Sequence, residues 1–484
     1  MGVDVTTVDV SASAELIEIL RRDDVAAFLL VQGEDTEPTK WMDALDTQVV
    51  HRLDFTSVEE AARFGDSVQV GIRTTENGAV HRLSRASFFD VYSQLDANAA
   101  ARILDRPAIP LEERYRAAAF ACAASDLGVD VIVTGAAVAS RADVADNDLV
   151  ISVCPEDLLP IFGHYLRRNG NHKFRITTGR IANGGSWENT ASAGSIKELY
   201  AWAIDSGMVH FQCLYLMADM TPLRDPRVAE ALLSIRTRLG RAARALDELL
   251  GALSNTAGKG TAASDITEAA AEAFDREMLY LCAAFDGYGR LYATLIDTTV
   301  DPRKARDSLF SRTFLDKTLA RYSADTSAID AGQKFAFICS QLRHSIHASV
   351  LPAGQYLSRV YGSAETVALD LSDLDYFDPA TTSLGQDQLD RLGVWLAEPD
   401  DVFGSRTYVA DLATVATTLM ITALEYIDAF SGLILCHLPS NAPNAHSLLG
   451  SAPDTGGPRP SPSKDELYQR KLFGWFINDY GNRG

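Results

Sequence analysis

Two runs of apolar residues in the middle of the chain are spaced as only a long helix can use them. Val228, Leu232, Ile235, Leu239, Ala242, Leu246, Leu249 and Leu253 follow one another at intervals of 4-3-4-3-4-3-4, and Phe274, Met278, Leu281, Phe285, Tyr288, Tyr292 and Leu295 at 4-3-4-3-4-3. A repeat close to 3.5 residues places each set on one stripe, so each run predicts a helix with a full-length seam to bury. The connector Asn255–Thr261 is short and glycine-bearing, and Asp265 with Glu268 has the spacing of a capping box that opens the second helix. An antiparallel hairpin over 226–298 is therefore expected, with a seam between two copies of the chain as the alternative.

Helical periodicity continues downstream and predicts helices at Ala305–Tyr322, Ile329–Val350, Leu384–Leu396 and Ser405–His437, an all-α bundle spanning 196–438. The most hydrophobic part, Leu412–Leu438, meets Glu425 after thirteen uncharged residues. That is short of the roughly 20 needed to cross a bilayer, so it is read as a core helix and no membrane partner is expected. Upstream the pattern changes. VAAFLLVQ, QVVHRLDF and SVQVGIRT alternate with helical patterns around Ser87–Leu104 and Leu111–Leu127, and Leu127–Gly135 and Leu149–Val153 read as further strands before a helix opened by Pro155. Residues 1–176 are thus expected to form an α/β domain, with 177–195, rich in Gly, Asn and Ser, as a loop or linker. The end differs again. Residues 439–464 hold six of the seventeen prolines and read as a tether, and 465–484 concentrates Leu467, Leu472, Phe473, Trp475, Phe476 and Ile477, a docking segment for the bundle, a second copy or a partner protein.

A formal charge of −21 disfavours non-specific binding to nucleic acid or anionic membrane, because both are polyanions. Six cysteines stand singly with no CxxC pair, which argues for reduced thiols and against a zinc ribbon. The first residues lack an apolar stretch behind basic ones, so a cytoplasmic location is expected. No GxxxxGK[ST], strand-linked GxGxxG, HExxH or GxSxG occurs, and the acids between Glu365 and Asp401 lack the grammar of an EF-hand loop.

The residue types best suited to chemistry lie at Arg343-His344-Ser345-Ile346-His347, where Arg343 and His347 share one helix edge. His titrates near neutrality and suits a general acid or base, and Arg suits a phosphate or oxyanion. An Arg followed a turn later by His on a late helix of a bundle resembles the HEPN domain. The resemblance covers 261–438 and implies metal-independent RNA cleavage across a homodimer interface, with His347 assisting the ribose hydroxyl, Arg343 gripping the scissile phosphate and His344 supporting. Three residues separate Arg343 from His347 here, fewer than the family uses, which matches its non-catalytic members and leaves a structural use, pairing with Asp286 or Glu277, as the alternative. The stretch Leu127–Thr134 with its preceding helix resembles the late helix and strand of PIN-like domains. That resemblance implies carboxylates holding Mg²⁺ or Mn²⁺, for which Asp54 and Asp130 are the candidates, although Gly135-Ala136-Ala137 stands where the family has an acid. The expected function is an RNA-directed endoribonuclease-like effector of the toxin or phage-defence type without a cofactor, the metal being the alternative. The competing reading is a non-catalytic scaffold or regulatory protein.

Overall fold

The first strands are apolar on both faces, so both faces must be covered, and helices supply the cover. The computed structural model describes residues 1–12, 14–33, 38–55, 67–89, 111–135, 150–155, 158–168, 176–181, 185–189, 196–220, 227–253, 263–295, 308–320, 327–348, 351–357, 365–397 and 407–436. The expected tether and docking segment at 439–484 lie outside the described residues. In chain order the N-terminal part runs β1 (Gly2–Asp4), α1 (Ala14–Leu20), β2 (Phe28–Gln32), α2 (Thr39–Leu45), β3 (Val49–Phe55), β4 (Ser67–Glu76), β5 (Ala79–Phe89), α3 (Leu111–Asp126), β6 (Val131–Val133), β7 (Ile151–Val153) and α4 (Leu158–Arg168). Its seven strands form one sheet in the order β5-β4-β3-β2-β1-β6-β7. β1 lies parallel to β2 and β6, and β3 and β7 extend the parallel set on either side. β4 and β5 add an antiparallel hairpin at one edge, turned by Asn77 and Gly78, both at positive φ.

The two faces of the sheet follow the period-two alternation of its strands. Leu29 and Val31 pack with α1, α2 and α4, whereas Leu30, Ile132 and Leu53 pack with Tyr115, Phe120 and Ala123 of α3. Gly128, at φ +75°, closes α3 by letting Val129 N–H reach Ala124 O, and the chain passes directly into β6. Having stepped outward from β1 through β2 to β3, the chain resumes on the other side of β1 with β6. The carboxyl ends of β1 and β6 therefore flank a topological switch point.

The stretch at 177–195, read as a loop or linker, instead holds an antiparallel hairpin of β8 (Ile176–Ile181) and β9 (Gly185–Asn189), in register Ile176 with Asn189 and Thr178 with Trp187. The helical part follows: α5 (Ile196–Gly207), α6 (Val209–Met220), α7 (Arg227–Ala252), α8 (Ala263–Leu295), α9 (Arg312–Leu319) and α10 (Ser327–Ala348). α7 and α8 are the expected hairpin. Every seam residue from Val228 to Leu249, and every one from Phe274 to Leu295, is buried within the chain. A four-stranded antiparallel sheet, ordered β10-β11-β13-β12, then interrupts the helices. Its strands are β10 (Ala353–Leu357), β11 (Glu365–Asp370), β12 (Val394–Ala397) and β13 (Thr407–Asp411), with the short α11 (Gln386–Arg391) before β12 and α12 (Leu412–Cys436) after β13.

This small sheet corrects two expectations. The helix foreseen at Leu384–Leu396 stops at Arg391, where Gly393 at φ +65° turns the chain into β12. The helix foreseen from Ser405 begins only at Leu412, because Asp411 ends β13 and caps the helix by accepting from Thr414 N at 2.8 Å. The strand β5 likewise occupies Ser87–Phe89, where a helix was foreseen; the rest of that helix, 90–104, lies outside the described residues. α12 is long and apolar enough to cross a membrane by length and composition, and about two-thirds of its most apolar window is buried against the other helices. One continuous core runs from Val3, Leu29 and Val153 of the sheet through Phe211 and Leu239 to Phe285, Leu342 and Phe430, so the boundary near 176–196 is crossed by packing.

Candidate functional site

The last turns of α10 carry the Arg and His residues, and the helix divides them between interior and solvent. Leu342 is buried, and Arg343 beside it turns toward α8, where its Nη1 lies 3.5 Å from Asp286 Oδ2. Its Nε is enclosed without a hydrogen-bond partner. His344 and His347 are exposed, while Ser345 between them donates to or accepts from the Tyr376 hydroxyl at 2.9 Å. The structure thus brings Arg343 to the hairpin acid Asp286 and leaves both imidazoles in water. Glu277, the other acid considered for Arg343, is fully buried on α8 with neither carboxylate oxygen hydrogen-bonded. Burial pushes its carboxyl well above the usual range.

Asp54 and Asp130 are both exposed and are not brought together. Asp54 lies toward the carboxyl end of β3, opposite Gly71, whereas Asp130 precedes β6 at the amino ends of the strands, where its charge acts on the Met1 amino group. Two strands lie between β3 and β6, roughly 14 Å of sheet width. A single ion cannot bridge them. Two of the acids in the stretch 370–378 serve turns: Asp370 accepts from Ser372 N at 2.9 Å and Thr407 Oγ1 at 3.1 Å, and Asp378 from Ala380 N at 2.7 Å. Among the described residues no group of three or more His, Cys, Asp or Glu side chains is placed to hold a metal ion.

The carboxylate at the switch point is Asp4, at the end of β1, which the sequence reading passed over. It is completely buried. Its Oδ1 accepts from Thr6 N at 3.2 Å and Arg116 Nη2 at 2.8 Å, and its Oδ2 from Thr7 Oγ1 at 2.7 Å and Thr134 Oγ1 at 2.9 Å. Thr7 Oγ1 in turn accepts from Gly135 N at 2.9 Å. Gly135 is required there, since a Cβ would stand 2.8 Å from Thr7 O. Arg116 reaches in from α3, anchored by Gln32 Oε1 at 2.9 Å and lying over the Phe120 ring. Residues from β1, α3 and the end of β6 therefore meet on one carboxylate. An acid closing a short apolar strand beside two threonines was the available signal, but three residues at the chain start are too few for period-two alternation to register.

A second buried carboxylate, Asp247 on α7, joins the two parts of the chain. Arg167 of α4 grips it with Nε at 2.6 Å and Nη2 at 2.7 Å, the Tyr200 hydroxyl of α5 donates at 2.6 Å, and His164 Nδ1 lies at 3.2 Å. Burial opposes its ionisation, but the Arg167 guanidinium and its hydrogen bonds, with His164, outweigh this and hold the carboxyl well below the usual range. No family model, curated protein or solved structure matches this chain. The arginines flanking the first seam are used internally: Arg236 pairs with Asp205 of α5 at 2.5 Å, Arg244 with Glu248 at 3.0 Å, Arg238 donates to Ala283 O, and Arg241 lies over the Tyr280 ring.

Proposed function

We propose that the chain is a non-catalytic scaffold or regulatory protein, a PIN-like α/β unit joined to a HEPN-like helical bundle. The observation that carries this reading is the environment of Asp4. Four donors from its own chain fill both oxygens of the switch-point carboxylate, and one of them, the Arg116 guanidinium, supplies the positive charge that a carboxylate-held cation would otherwise bring. The pairing of Arg343 with Asp286 supports the same reading, because a guanidinium committed to a neighbouring helix is drawn away from a phosphate in solvent.

A second reading is favoured by one specific observation: His344 and His347 are exposed immediately beyond Arg343, where RNA can reach them. In that reading His347 serves as the proton-transfer group, Arg343 exchanges Asp286 for a phosphate and His344 supports, across a homodimer. Incubating the purified full chain with mixed cellular RNA, with Mg²⁺ or with EDTA, separates the two. Intact RNA in both conditions is the expected result. Cleavage that survives EDTA and disappears in His347→Ala and Arg343→Ala would establish the ribonuclease and overturn the scaffold reading. EDTA-sensitive cleavage would instead move the chemistry to the neighbourhood of Asp4.

A further inference from the structure

We draw no further inference here: the strongest candidate, the pair formed by the half-buried imidazole of His210 on α6 and the buried carboxylate of Asp428 on α12, which accepts from His210 Nδ1 at 2.9 Å, carries nothing because Asp428 is accounted for as the cap of α6, accepting from His210 N at 2.7 Å and Phe211 N at 3.1 Å, and nothing in the structure shows what the imidazole would hold or act on.

Discussion

Glu277 places a carboxyl in the middle of the bundle, and nothing within hydrogen-bond distance answers either of its oxygens. A buried carboxylate without a cation is far costlier than the neutral acid, so burial alone raises its pKa. The folded form then holds the proton more tightly than the unfolded one. Stability is full below the unfolded value and falls as pH rises above it, until the folded carboxyl itself ionises. Glu277→Gln is expected to flatten this decline in thermal stability between acid and neutral pH, and Glu277→Leu to gain about 1–3 kcal/mol at neutral pH by removing an unsatisfied buried group. Unchanged pH slopes in both variants would show that the carboxyl is solvated after all. Asp4 is the opposite case, a buried acid with every lone pair used, and the two cannot be told apart from sequence. Asp4 closes a short apolar strand and Glu277 follows Asp275 and Arg276 on a long helix, and neither setting announces whether the carboxyl is answered; only the neighbours brought by distant segments distinguish them.

At the level of elements, helix α10 crosses α12 at Gly332. A Cβ there would meet Cβ, Cγ and Cδ2 of Tyr426 at 2.6–2.7 Å, and Tyr426 is itself fixed by its hydroxyl donating to Leu309 O at 2.8 Å. Because the atoms in the way belong to the root of the Tyr426 ring, the helices must part to admit a methyl group. Gly332→Ala is expected to destabilise by about 1–3 kcal/mol in denaturant unfolding, despite the better helix propensity of Ala. The long hairpin α7/α8 was legible because its seam repeats over more than six turns and leaves one stripe to bury. The small sheet was not. Its strands run four to six residues, and the apolar residues Leu389, Leu392 and Leu396 fit a helical spacing as well as the short helix and strand that form. Asn77-Gly78 is a turn signal for the hairpin β4/β5 that was not taken up, and the helix expected from Ser87 ran into the end of β5.

Across the whole molecule, the sheet and the bundle share one core, and the Asp247 cluster pins α4 against α5 and α7 within it. Removing its charge leaves Arg167, almost wholly buried, without a counter-ion. Asp247→Asn is therefore expected to cost about 3–5 kcal/mol, and an Asp247→Leu, Arg167→Leu double variant to recover part of it; equal losses in both would refute ion pairing as the cause. Since the folded Asp247 has the lower pKa, its contribution is present above the ordinary Asp range and is lost as pH falls below it. The sequence alone determined that residues near 228–253 and 274–295 form seam-bearing helices and that the first part alternates strand and helix, because periodicity is a local property that one element carries in full. The tertiary structure decided which acids are buried and answered. Asp4 meets Thr134 across 130 positions and Asp247 meets Arg167 across 80, and no local spacing encodes the packing that makes these encounters.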